Sequence, residues 1–447
     1  MARRTIHSAT VSPPVPPPPI ADRYDVVVVG GGPAGTTFSH LLARRGLSCL
    51  LVEKARHPRF CVGESLLPAT TAVWRELGIE QRLADSGFIK KYGAYFCFAD
   101  GDGHEYFHFP HASTRKADHA YEVERGPFDE LLWDAAVEAG VDARDKTSVR
   151  RFEFDGDRCT GVTLRTAAGE ERTVDARLVA DCSGRTTALG RQLDLRRPDP
   201  VLNKVALYTH YEGVERLGGE QEGTIGIVAT HWGWMWFIPF AGGSASVGAV
   251  VSQDWFRQRK SAGLDKAAIW ADVLADAPHI AGRVAGGKPT RDVEITANFQ
   301  HRCAQMAGDG WVMIGDSGAF LDPVFSSGVH LAMSGASLAA AAAGPALAGG
   351  RLPMARDFAG FERSVRGALT VFTRFIYAWY DPYFRDVLMR PPHGNAGIEA
   401  LKREIISVLA GDVFRPWRVL PAIWALEGIA RIKRLVDSRR PPTQEVA

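Results

Sequence analysis

Cysteine is scarce in this chain: there are six in 447 residues, at positions 49, 61, 97, 159, 182 and 303, and none forms a Cys-x-x-Cys pair. That excludes a disulfide scaffold and a zinc ribbon, and it fits a reducing cytoplasm. An excess of charge of one sign is missing too. With 53 basic against 51 acidic side chains the formal charge is +2, so there is no field to hold a nucleic-acid backbone and nucleic acid is not an expected partner. The N-terminal segment lacks the apolar run of a secretory signal and carries prolines from Pro13 to Pro19 instead, which predicts a disordered tail over 1–21. One uncharged stretch, Pro323 to Gly350, is long enough to cross a membrane, with His330 its one titratable residue. Its Ala, Gly and Ser content and Pro345 predict a buried helix and no membrane span.

What is present is a globular composition, 46% hydrophobic and 23% charged, over a length that suits two to three interleaved domains. Asp25 to Val29 is a continuous β-branched run, as expected for a strand buried on both faces of a parallel sheet. The run Gly30-Gly31-Gly32-Pro33-Ala34-Gly35 follows, then a helical stretch to Gly46 and a second strand from Leu47 to Val52 that ends in Glu53. From about Tyr95 the pattern turns aromatic and strand-like, and Val201 to Val251 reads mostly as strands. Arg177 to Gly184 and Gly310 to Gly315 each look like a further buried strand running into a glycine turn, and the chain after Gly350 is helical in character. The expected fold class is α/β. A discontinuous Rossmann-like nucleotide domain (22–95, 150–195 and 290–350) is interleaved with a mostly β substrate domain (96–149 and 196–289), and a helical C-terminal region covers 351–447.

Gly30-x-Gly32-x-x-Gly35 between a strand and a helix permits a tight turn, close approach of backbone to a pyrophosphate, and a helix N-terminus aimed at that anion. Pro33 and Ala34 open that helix, and Glu53 lies where an acid binds a ribose hydroxyl. The motif leaves NAD and FAD both open. Further features are Asp181-Cys182-Ser183-Gly184-Arg185, Gly315-Asp316 followed by Pro323, and Glu124-Arg125-Gly126-x-Phe128-Asp129. Together with the GGGPAG start they resemble the FAD-dependent monooxygenase fold. The resemblance implies FAD as prosthetic group, with Asp316 on the ribityl chain and Arg125, Asp181, Gly315 and Pro323 in the cofactor site.

Within that fold the chain resembles the flavin-dependent halogenases, more closely the branch acting on phenols and pyrroles than the free-tryptophan branch. Trp234-Met235-Trp236-Phe237-Ile238-Pro239 fits WxWxIP, Phe320-x-x-Pro323-x-x-Ser326-x-Gly328 fits FxxPxxSxG, and Lys91 stands where the family has its catalytic lysine. Gly63-Glu64-Ser65-Leu66-Leu67-Pro68 and Leu409 to Phe414 match as well, and the resemblance places Glu64 in the catalytic set. It implies that FADH2 from a separate flavin reductase reacts with dioxygen. A C4a-hydroperoxide then oxidises chloride or bromide, and a lysine delivers the halogen to an electron-rich aromatic ring.

Each match also has a reading of its own. A halide beside the flavin must be held without its water shell, and Ser326, Ser327 and Gly328 at the start of the uncharged helix offer backbone amides for that. If residues 89–97 form one strand, Lys90 and Lys91 point to opposite faces and one of them alone enters a tunnel. A lysine by itself is ordinarily solvated; the family position is what marks Lys91. Trp234 and Trp236 share a strand face and can wall off the flavin from substrate, although two such indoles also suit a plain core. Tryptophan-type enzymes carry a glutamate where this chain has Phe325, which favours a phenol or pyrrole that loses its own proton over an indole. His104, His108, His111 and His119 cluster among aromatics and read as a substrate-contact segment, and no metal is expected. The basic stretch Arg415 to Arg440 suits a packing helix, with docking of an acyl or peptidyl carrier protein as a second meaning. An FAD-dependent aromatic hydroxylase or a reductase of geranylgeranyl type on the same scaffold is the alternative.

Overall fold

The computed structural model describes residues 18–114, 117–199, 201–391 and 395–438, so most of the expected proline-rich tail lies outside the described residues. Its first layer is a sheet ordered Ala307–Gly308, Trp311–Met313, Glu171–Asp181, Arg23–Val29, Cys49–Val52 and Asp142–Arg144. All neighbours are parallel except the two-residue strand Ala307–Gly308. Val26, Val27 and Val28 are fully buried, as a strand covered on both faces requires. The register sets the site: Val29 is level with both Val52 and Asp181, and Asp181 with Met313. The glycine turn, Glu53, the Ser183 turn and the Gly315 turn therefore all leave the sheet at its carboxyl edge, where ligands of open α/β sheets bind.

A second sheet runs Lys288–Pro289, Lys204–Glu212, Ser244–Ser252, Gly233–Pro239, Ile225–Ala229, Gly93–Phe98 and Glu105–His108. Helix Ser327–Ala348 packs between helices Pro33–Ala43 and Ala359–Trp379, and most of its length is buried. By length and composition it is the one described helix able to cross a membrane. Helices Pro382–Met389, Ala396–Leu409 and Pro416–Asp437 complete the C-terminal region. All six cysteines are unpaired.

Two expectations change. The single strand over 89–97 is broken at Tyr92: Ile89–Lys91 pairs with Ala120–Glu122, and Gly93–Phe98 joins the large second sheet. A Cβ at Gly93 would lie 2.6 Å from the Phe107 carbonyl oxygen, so the switch of sheets happens where the missing side chain lets two backbones close up. The expected substrate segment 96–149 is also divided. Its helix Arg125–Glu138 packs on Pro33–Ala43 and its strand Asp142–Arg144 joins the parallel sheet, a crossover that the aromatic run before it obscured.

Candidate active site

The glycine turn is shaped for a close ligand. Gly30 has φ +109°, and a Cβ there would lie 2.3 Å from the Cys182 carbonyl oxygen. A Cβ at Gly35 would lie 1.9 Å from the Gly30 carbonyl oxygen. Gly32 caps the helix without a side chain and Pro33 takes its first position, where a missing N–H costs nothing, so the amides after it point outward unpaired. Glu53 braces the turn: its carboxylate accepts from the Gly31 amide at 3.0 Å and from the Ala55 amide at 2.9 Å. Residues that sequence reasoning passed over close this corner. Arg59 reaches Glu53 at 3.5 Å and Asp129 at 3.3 Å, and Asp129 grips Arg125 through two hydrogen bonds of 2.8 and 2.9 Å. The spacing of Arg125 and Asp129 by one helical turn was the available signal; Arg59 offered none.

Arg125 is buried, and its guanidinium also donates to the Val62 carbonyl at 2.8 Å, so it pins the loop before Glu64. Burial opposes its charge, and Asp129 more than offsets that. Asp181 sits at the sheet edge, but both carboxylate oxygens are taken by the amides of Ser183 and Leu189, each at 2.8 Å. It thus acts on the site by holding a turn. Its carbonyl accepts from the Ile314 amide at 3.0 Å and from the Ser317 hydroxyl, which ties that turn to Gly315 and Asp316. Gly315, at φ +70°, lies between helices: a Cβ would meet Ala332 at 3.1 Å and Ala34 at 3.4 Å. Burial pushes the Asp316 carboxyl up to about 6, against the pull of Arg185 and Arg125. Glycine cradle, free helix amides, Glu53 and Asp316 fit an extended dinucleotide such as FAD, running from the first helix toward the start of Ser327–Ala348.

That second helix begins abruptly. Pro323–Phe325 forms a short 3-10 turn, Ser326 is left-handed at φ 54°, and no side chain caps the helix that follows. The amides of Ser327 and Gly328 belong to the unpaired first turn, and a Cβ at Gly328 would meet only the Phe320 ring, at 3.9 Å. Behind the turn lies a buried relay. Asp322 accepts from the Val324 amide at 3.1 Å and from the Tyr380 hydroxyl at 2.7 Å, and Tyr380 in turn accepts from the Trp234 indole at 3.2 Å. The Lys204 ammonium lies 4.0 Å from the Tyr380 ring centroid. Burial raises the Asp322 carboxyl to about 6 in spite of these partners. Trp234 and Trp236 do share a face, with ring centroids 5.8 Å apart, and Trp236 donates to Ser246 at 3.1 Å. Phe60, Tyr208 and Trp236 continue the wall at centroid spacings of 6.1 and 6.2 Å. Phe325 stacks on Phe375 at 4.2 Å, so an aromatic sandwich fills that position.

Lys91 is 1% exposed, whereas Lys90 beside it faces solvent. Its ammonium donates to the Ser65 hydroxyl at 2.8 Å and to the Leu66 carbonyl at 3.1 Å, and burial lowers its pKa to about 8. The segment carrying Ser65 runs along the whole site. A Cβ at Gly63 would lie 3.0 Å from Arg125 and 3.7 Å from Val329; Glu64 meets His210 at 2.8 Å; and Thr70 bonds His330, in the first turn of the second helix, at 3.1 Å. One strip of chain thereby links the cofactor corner, the amine and the helix start.

Comparison with known proteins bears on the family and the fold. Residues 23–363 match the FAD binding domain family. The chain is 32% identical to a tryptophan 2-halogenase of Chondromyces crocatus over 80% of this chain and 67% of that protein. It is 28% identical to a chlorinase of 1H-pyrrole-2-carbonyl-peptidyl-carrier protein from Pseudomonas fluorescens, over 88% of this chain and 95% of that one. Among solved structures, the myxobacterial chondrochloren halogenase CndH superposes with a TM-score of 0.75 at 30% identity, covering 92% of this chain and 97% of its own. The flavin-dependent brominase Bmp2 does so with a TM-score of 0.79 at 26% identity, covering 92% and 99%.

Proposed function

Since the chain belongs to the flavin-dependent halogenase family, an FAD-dependent group of enzymes that halogenate aromatic substrates, we propose that it places chlorine or bromine on a phenolic or pyrrolic ring through Lys91. When bound, reduced FAD with dioxygen supplies the oxidant that turns halide into hypohalous acid, and a separate flavin reductase supplies the reduced cofactor. The protein's part is to bind, screen and aim. Gly30, Gly32, Pro33, Ala34 and Gly35 seat the pyrophosphate, and Glu53, Arg125, Gly315, Asp316 and Pro323 frame the rest. The amides of Ser327 and Gly328 strip and hold the halide, while Ser326, whose own amide is spent on the Pro323 carbonyl at 3.0 Å, makes the left-handed turn that presents them. The Trp234–Trp236 wall keeps an organic ring away from the oxidant, and Glu64 fixes the strip on which Ser65 meets Lys91.

Lys91 carries the reading. A buried amine whose charge is disfavoured has no structural need to be a lysine, and it spends two N–H groups on Ser65 and Leu66, which leaves it a third to donate. From there the ammonium donates a hydrogen bond to hypohalous acid. Alternatively the neutral amine takes the halogen: N–X forms, O–X breaks, and the amine proton leaves with hydroxide as water. With Phe325 sandwiched against Phe375, no acid stands there to remove the ring proton, which supports a phenol or pyrrole over an indole. The pyrrole-carrier relatives support a substrate tethered to a carrier protein. The test is Lys91→Ala with reductase, halide and a panel of free and carrier-loaded phenols and pyrroles, read by intact mass. Reduced FAD should still be consumed while halogenated product falls by roughly a hundredfold or more; full halogenation by the variant would remove Lys91 from the reaction.

A further inference from the structure

Directly behind Lys91 lies a second ionisable group that the reading above does not use. Glu122 is 1% exposed, and its polar side-chain contact is an imperfect one to the Ser65 hydroxyl, a costly setting for a buried carboxylate. Lys91 pairs across the two-stranded sheet with Ala120 and Ile89 with Glu122, so Glu122 lies diagonally from Lys91 on the same face, within reach of two long side chains. On its other side the Glu122 backbone pairs antiparallel with that of Ser65, so the two side chains share a face, and the Ser65 hydroxyl accepts from Lys91. Glutamate, hydroxyl and amine thus form one enclosed cluster.

Resting on the assignment of Lys91 as the halogen-directing amine, we propose that Glu122 is its proton partner: a positioning residue that gives up or takes the proton Lys91 must lose or regain, so that the pair stays neutral while the amine changes state. The proton passes through the Ser65 hydroxyl: an N–H bond of the ammonium breaks as the Ser65 oxygen takes that proton, its own proton moves to the carboxylate to form the O–H of the acid, and the reverse restores the two charges. The exchange decides between the two roles open to Lys91, because hydrogen bonding to hypohalous acid calls for the ammonium, whereas taking up halogen calls for the free amine and hence for somewhere to put the proton. With Lys91 only 1% exposed, bulk water is not the nearest proton acceptor, and Glu122 stands on the same face of the sheet. Burial raises Glu122 to about 8 and lowers Lys91 to about 8, and each group's charge favours the charged form of the other. The remaining groups around the pair are few. Glu64 adds repulsion to Glu122 but is engaged by His210 at 2.8 Å, Ser65 stands between the two, and Lys90 faces solvent on the opposite side of its strand.

Glu122→Gln keeps the shape and removes the charge, so Lys91 loses the one anion that supports its ammonium. In protein carrying carbon-13 at lysine Cε, with the Lys91 signal assigned by its absence in Lys91→Met, the Lys91 titration should move to lower pH by about one unit or more. The limb of the halogenation pH profile governed by Lys91 should move the same way. Glu122→Asp, which retains the charge on a shorter arm, should fall between the two and serves if the glutamine variant folds poorly. An unchanged Lys91 titration and pH profile in these variants, with Lys91→Ala inactive, would overturn the role of Glu122 alone. Active Lys91→Ala would overturn the reading of Lys91, while the titration would still decide whether the two groups share a proton.

Discussion

Asp322 offers the most quantitative check on the buried relay behind the turn at Ser326. Its carboxyl is enclosed and raised from 3.8 to about 6, with burial the leading cause and Tyr380, the Val324 amide and Lys204 pulling the other way. Because the folded protein holds this proton more tightly than the unfolded chain, the group's contribution is fully favourable below about pH 4. It is lost as pH rises through about 6, and above that the folded state carries the whole cost of an enclosed anion. A shift of about two units corresponds to roughly 3 kcal/mol at 1.36 kcal/mol per unit. Asp322→Asn keeps an acceptor for the Val324 amide and a polar neighbour for Tyr380 while removing the charge. Its thermal midpoint, compared with wild type in matched buffers from pH 4.5 to 8, should start near the wild-type value. It should then rise to a plateau about 3 °C higher above pH 7, taking an unfolding entropy of about 2.1 cal/mol/K per residue. A difference that does not vary with pH, or one that shrinks as pH rises, would refute the raised carboxyl and the enclosure from which it follows.

Two further outcomes concern the cofactor corner and the indole wall. Gly35→Ala would drive a Cβ into the Gly30 carbonyl 1.9 Å away, so the purified variant should lose most of its FAD, measured by flavin absorbance after desalting. Gly248→Ala would place a methyl 2.2 Å from the Trp236 ring; about 1–3 kcal/mol of stability should go in urea unfolding, and less halogenated product should form per reduced FAD consumed.

Much of this layout was readable from residue order, for local reasons. The valine run at 26–28, the glycine spacing and the acid at 53 are consecutive features whose meaning depends on strand and helix geometry alone, and the alternation of Lys90 and Lys91 needed one short strand. Residues that act across the fold were not readable. Arg59 reaches Asp129 70 positions away, and Asp322 reaches Tyr380 58 positions away, because the sheet order brings them together. Nothing in the residues around Glu122 marked it; the pairing of Ile89 with Glu122 is what turns it inward behind Lys91. Asp181 shows the converse: its position at the strand end was evident, but the engagement of both its oxygens by local amides emerged only from the turn it holds.

The central sheet draws its parallel strands from residues 23–29, 49–52, 142–144, 171–181 and 311–313. Met313 hands directly to Gly315 and the left-handed turn at Ser326, so the last parallel strand and the proposed anion seat are made together, late in the chain. A nascent chain interrupted before that point has half a dinucleotide cleft and no seat. The cofactor cleft is therefore complete only once the chain has been made through Asp316, and a break between residues 181 and 311 divides its walls between two pieces.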